Sequence, residues 1–185
     1  VTLPRGFKAQ AEREAQRLRT ELALTAGDPL PLDRLAAHLG ITLVSADQLV
    51  NRSRLEEIER LQAFAFSAAT FEVQQRRFVV TNPLRTPGRL ASDVAHEIAH
   101  QLLRHDLSEI RVIEGVPFRT CKPDEEEQAT AFGGTLLLPR PLLMRAALRG
   151  DGPAEIAATF GVTIEMARFR YNTTGVARQV QRRSS

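Results

Sequence analysis

The stretch His96-Glu97-Ile98-Ala99-His100 constrains this chain more than any other part of it. Two imidazoles four residues apart share one side of a helix. A carboxylate between them can reach a water at a bound cation without binding the cation itself. The pattern works only on a helix, and the local sequence supplies one. From Leu90 to Leu103 there is no Gly or Pro, and Ala, Leu and Ile are abundant. At about 100° per residue, Ala95, Ile98, Ala99, Leu102 and Leu103 fall on one arc, with His96 and His100 at its margin and Glu97 further round. The plainer reading, a pair of ordinary surface or core histidines, leaves unexplained why two of the chain's four His residues sit in this one pattern.

A catalytic zinc site takes three protein ligands and keeps a fourth position for water. A third donor is therefore expected elsewhere. Residues Asp124 to Leu138 read as a second helix, acidic in its first turn, apolar later and stopped by Pro139. Glu125, Glu126 and Glu127 are an ordinary solvated helix start, or they offer a carboxylate ligand; periodicity does not choose among the three.

The run into His96, the Glu-rich helix and its Leu-Leu-Leu-Pro ending resemble the ImmA/IrrE family of bacterial metallopeptidases. That family pairs H-E-x-x-H with a later helix of the form E-x-x-A-[N/D/Q] that ends in L-L-x-P. Counted back from Pro139, the resemblance puts the metal glutamate on Glu126. The position one turn on, often Asn or Asp in the family, is Thr130 here. A Thr hydroxyl can still hydrogen-bond a ligand histidine but brings no charge. The opening Pro4-Arg5-Gly6-Phe7-Lys8 and the ending Phe160-Gly161-Val162-Thr163 to Asn172 look like an actinobacterial branch of the family. The likeness covers nearly the whole chain and is strongest over 78–139. It implies a metallopeptidase domain over 1–150 and a helical appendage with a basic tail over 151–185.

A chain of 185 residues can bury one good core, or a core and a small appendage. No apolar run approaches the ~20 residues that span a bilayer, and no secretory signal pattern opens the sequence. The single cysteine, Cys121, allows no internal disulfide and fits a reducing, cytoplasmic setting. A net charge of +3 does not advertise nucleic-acid binding.

Residues 5–25 predict an amphipathic helix with Phe7, Ala11, Ala15, Leu18 and Leu22 on one stripe. Leu32 to Leu39 is a short helix closed by Gly40. Ile41 to Val44 is a strand, and Arg54 to Leu61 is a charged helix. Phe64–Ala68, Thr70–Val73 and Arg77–Thr81 are strand candidates by β-branched and aromatic content. Pro87-Gly88 is expected to precede the His96 helix, and Asp106 to Pro123 is a long connection. The simplest arrangement is α+β: a small antiparallel sheet packed with helices, including the one that carries His96 and His100, followed by a helix-turn-helix-like appendage.

In that appendage, Pro153–Phe160 and Thr163–Asn172 are helical, and Thr163 is a natural N-cap. Arg168, Arg170, Arg178, Arg182 and Arg183 could contact phosphate if the pair bound DNA. The preferred reading is a helical pair that packs on the catalytic domain or helps hold a protein substrate, because base-reading side chains are not clustered. His105 could cap the end of the metal helix or donate to an oxyanion. Tyr171, the one tyrosine, is a second oxyanion candidate or a packing residue. His38 reads as a surface residue. Cys121 could cover the open metal position as a thiolate, or be a small half-buried thiol.

The expected chemistry is metal-assisted peptide hydrolysis: His96, His100 and Glu126 hold Zn²⁺, with Mn²⁺ or Fe²⁺ able to fill the same donor set, and Glu97 moves the proton. The resemblance implies a substrate among helix-turn-helix transcriptional repressors, and so a role in stress response or transcription regulation. The alternative is a non-catalytic regulatory or DNA- or repressor-binding module with a structural metal.

Overall fold

The computed structural model describes residues 3–61, 66–105, 110–113, 116–119 and 122–184. Its first helix, α1 (Phe7–Glu21), buries Phe7, Ala11, Ala15 and Leu18, with Leu22 following on the same stripe. A short α2 (Leu32–His38) ends in Gly40 at φ 69°, a left-handed position where a side chain would be strained. Strand β1 (Ile41–Ser45), a 3-10 turn (Ala46–Gln48) and the charged α3 (Arg52–Leu61) follow.

The sheet contains β1, β2 (Ala68–Val73) and β3 (Arg76–Thr81) in the order β1-β3-β2. Strands β2 and β3 form an antiparallel hairpin, but β1 runs parallel to β3, so the expected small sheet is mixed rather than wholly antiparallel. The reason lies in the connection. The chain between β1 and β3 includes α3 and β2, long enough for the crossover that a parallel pair requires. The hairpin turn places Gln74 and Gln75 at φ 50° and 61°, the two positive values that a tight two-residue turn demands. The strand expected at Phe64–Ala68 begins only at Ala68; Phe64 and Ala65 lie outside the described residues. Within the connection 106–123, β4 (Ile110–Ile113) and β5 (Val116–Arg119) pair antiparallel.

Helix α4 (Pro87–Leu103) carries the His96 pattern and starts earlier than the composition suggested. Pro87 occupies the first turn, where its missing N–H costs nothing. Gly88 lies inside the helix because a Cβ there would meet the Val162 backbone at 2.8 Å. Val94, Ala95, Ile98 and Ala99 are buried, and the sheet lies against this helix through Val79 and Ala68.

Helix α5 (Pro123–Leu137) packs along α4 and then enters the core with Phe132, Leu136 and Leu137. The two helices approach closely at Gly133, where a Cβ would stand 3.0 Å from Ala95 O and His96 N. Beyond Pro139 come α6 (Arg140–Leu148), α7 (Pro153–Phe160), α8 (Ile164–Thr173) and α9 (Val176–Ser184). The α7–α8 turn uses Gly161 at φ 66°, and the Thr163 hydroxyl caps α8 by accepting from Met166 N at 3.1 Å. Ile156, Phe160, Val162, Ala167 and Val176 belong to the same buried cluster as α1, α4 and α5. Arg170 is buried as well: its Nε donates to Leu138 O at 3.1 Å and its Nη2 to Glu12 Oε1 at 2.7 Å. This arginine ties α8 to α1 and is not available to a phosphate. Among the described residues, no helix is long and apolar enough to cross a membrane.

Candidate metal centre and active site

The α4–α5 contact brings three side chains to one point. His96 Nε2 lies 3.0 Å from His100 Nε2 and 3.2 Å from Glu126 Oε2. The other oxygen of the same carboxylate, Glu126 Oε1, lies 3.3 Å from His100 Nε2. Four residues of helix bring the imidazoles alongside each other, with centroids 4.6 Å apart and planes at 73°. The close approach at Gly133 sets the depth at which α5, and so Glu126, faces them.

These spacings are compatible with a set of metal ligands. Donors about 2.0–2.1 Å from a tetrahedral cation stand about 3.3 Å from one another, and the observed separations run from 3.0 to 3.3 Å. The outward nitrogens are occupied too. His100 Nδ1 lies 3.0 Å from His105 Nδ1, and His96 Nδ1 lies 3.4 Å from Thr130 Oγ1. With the proton on Nδ1 of both His96 and His100, both Nε2 lone pairs face the centre, the tautomer that metal-binding histidines use. His100 is held below the ordinary histidine pKa, first by burial and next by the neighbouring His96, with Glu126 and Glu97 opposing. Neutral imidazole is the form that carries a lone pair for a metal.

Glu97 stands apart from this cluster. Its carboxylate is buried, and Oε2 accepts a hydrogen bond from Thr70 Oγ1 at 2.6 Å. A cavity of about 310 Å³ opens beside the donors, lined by Ser67, Asp93, His96, Glu126, Thr130 and Met166. Asp93 is buried there against Arg89, with Nε to Oδ1 at 3.0 Å, and burial holds its carboxyl above the usual aspartate range. A larger cavity, about 440 Å³, lies on the other flank of α5 among Phe7, Glu127, Thr130 and Phe169, and contains none of the three donors.

Of the three consecutive glutamates, only Glu126 joins the histidines; Glu125 pairs with Lys122 at 2.9 Å and Glu127 lines the larger cavity. His105 stands on the Nδ1 side of His100, with the two Nδ1 atoms 3.0 Å apart. Tyr171 packs against the core in α8. His38 is a half-exposed surface residue bonded to Glu21 at 3.0 Å. Cys121 lies outside the described residues. Sequence reasoning missed Thr70: nothing local distinguishes this threonine, and only the strand register brings it to Glu97.

An α+β core whose central helix carries two histidines and a carboxylate, with a glutamate of the next helix beside them, has an arrangement that peptidases of the H-E-x-x-H type use. The family model for the IrrE N-terminal-like domain, of the Peptidase M78 group, matches residues 36–172, and the chain belongs to this family of peptidases. No curated protein matched the chain in a search of such proteins. The His96, His100 and Glu126 cluster is compatible with a metal ion, as membership of a metallopeptidase family requires.

Proposed function

We propose that the chain is a zinc-dependent endopeptidase that cuts a peptide bond in a regulatory protein. The observation that carries this reading is the cluster of His96, His100 and Glu126, with the two Nε2 atoms 3.0 Å apart and each of them within 3.2 or 3.3 Å of one of the two Glu126 oxygens, beside a buried carboxylate that is not part of it. Two imidazoles and one carboxylate suit Zn²⁺, and Mn²⁺ or Fe²⁺ would fit the same atoms. When bound, the cation supplies Lewis acidity toward the scissile carbonyl and makes a water more acidic.

The chain's own residues do the rest. His96, His100 and Glu126 hold the ion. His105 and Thr130 fix the ligand rings from behind. Glu97 takes a proton from the attacking water and returns it to the leaving amine. Strand β2 pairs only with β3 among the described residues. Its other edge offers backbone N–H and C=O groups to an extended substrate segment beside Glu97.

The likeness to the ImmA/IrrE family supports a helix-turn-helix repressor as substrate, and so a cytoplasmic role in transcription regulation and stress response. Burial of Arg170 argues against the C-terminal helices acting as a DNA-binding unit. The experiment is to mix zinc-loaded protein with a helix-turn-helix repressor encoded beside it and look for a discrete cut by mass spectrometry. Glu97→Gln should keep the metal and abolish the cut, whereas His96→Ala should lose both. A stable, uncut complex with zinc-loaded wild type would contradict the peptidase reading.

A further inference from the structure

The edge strand of the sheet is bonded to the carboxylate assigned as base. Thr70 Oγ1 donates to Glu97 Oε2 at 2.6 Å, across 27 positions of sequence. A hydroxyl that donates to a carboxylate makes one of the stronger side-chain hydrogen bonds.

The register explains how Thr70 gets there. Within the antiparallel β2–β3 pair, Thr70 stands opposite Val79, which is fully buried. Alternation puts Ala68 and Thr70 on one face of β2, the face turned to α4. Valine would fill such a place equally well by shape and strand preference, without a polar atom to satisfy. Thr70 is half-buried, and its hydroxyl turns to Glu97. The two side chains also differ in stiffness. Thr is branched at Cβ and restricted about χ1, so the strand fixes where its oxygen points. Glu has three rotatable bonds and takes its direction from whatever grips it.

We propose that Thr70 is a positioning residue of the active site: its hydroxyl helps hold the Glu97 carboxylate in the orientation that proton transfer needs. This rests on the peptidase reading for Glu97's role, but the hydrogen bond can be tested without a substrate. Acetohydroxamate binds a cation through its two oxygens and shares its hydroxyl proton with a neighbouring carboxylate, so its affinity reports where Glu97 points.

Zinc-loaded wild type, Thr70→Val and Thr70→Ser are titrated with acetohydroxamate, with zinc content and melting midpoint measured alongside. Thr70→Val should keep its zinc and weaken acetohydroxamate binding about ten-fold, the effect of one lost charge-assisted hydrogen bond. Thr70→Ser should bind within about two-fold of wild type. In a Glu97→Gln background, Thr70→Val should change nothing further, because the hydroxyl acts through that carboxylate. Thr70→Ala replaces the valine variant if valine does not fold. Equal affinity in wild type and Thr70→Val, loss of zinc in step with affinity, or an undiminished effect in the Glu97→Gln background each overturns the proposal. Zinc-loaded wild type that binds acetohydroxamate with the expected Thr70 dependence but cuts no protein counts against the peptidase reading alone. Failure to take up zinc at all overturns both.

Discussion

At the scale of single residues, the proposed function assigns His96, His100 and Glu126 as metal ligands and Glu97 as base. Removing a donor leaves two, so Glu126→Ala should weaken zinc binding by at least about ten-fold, checked by competition with a chelating dye. The histidines and Glu97 were legible in the sequence because they lie within five consecutive residues, where helical geometry alone brings them together. Glu126 was not fixed by local pattern, since three adjacent glutamates satisfy it equally; a resemblance singled it out. Thr70 and His105 were not legible in these positions, because strand register and the chain's exit from α4 decide them. Asp93 offers a pH test. Burial raises its pKa against the opposing pull of Arg89 and Arg85. The folded state therefore binds this proton more tightly than the unfolded chain does. Its contribution to stability is present below the ordinary aspartate pKa and is lost as pH rises through the folded value. Asp93→Asn removes that cost. The variant should melt higher than wild type at pH 7–8, by a margin that shrinks to nothing as pH falls to about 4. A margin that grew on acidification would show that the ion pair with Arg89 outweighs burial.

Among elements, the α4–α5 contact sets the site. A methyl group at Gly133 would press on the backbone at Ala95 and His96, 3.0 Å away, and neither helix can yield there without moving a ligand. Gly133→Ala should cost about 1–3 kcal/mol, lowering the melting midpoint by roughly 2–12 °C, and should weaken zinc binding as well. Calorimetry and metal titration check the two together. Helices with a clear apolar stripe, α1 above all, were readable because five buried residues recur at helical spacing. Strands β2 and β3 were readable from their β-branched and aromatic content, but the hairpin turn between them was not, because it uses Gln-Gln where Asn-Gly is the usual signal. The parallel pairing of β1 with β3 was also hidden, because strand order depends on long-range contacts that alternation does not encode. Helices α6 and α9 went unread; α9 is polar apart from a few positions such as Val176.

Across the whole molecule, the C-terminal helices are part of the packing that supports the centre. Ile156, Phe160, Ala167 and Val176 lie in the common core, and Gly134 admits Met166 at the distance where a Cβ would meet its sulfur at 3.1 Å. Deleting 151–185 should therefore expose the buried flanks of α5 and α6 and give an aggregating or poorly packed protein, visible as lost amide dispersion by NMR. A well-dispersed spectrum from residues 1–150 would instead mark an independent domain. Arg170→Met tests the tie between α8 and α1. It leaves Glu12 with only the backbone N–H of Arg140 as a partner and should cost about 2–4 kcal/mol, less than a fully buried pair because Glu12 is partly exposed. All of these effects converge on whether one divalent ion sits between α4 and α5. The direct measurement is an anomalous difference map, recorded on either side of the zinc absorption edge, from a zinc-loaded crystal. The account predicts one peak within about 2.0–2.2 Å of His96 Nε2, His100 Nε2 and a Glu126 oxygen. A map with no peak there, or with Glu126 turned away from the ion, would contradict it.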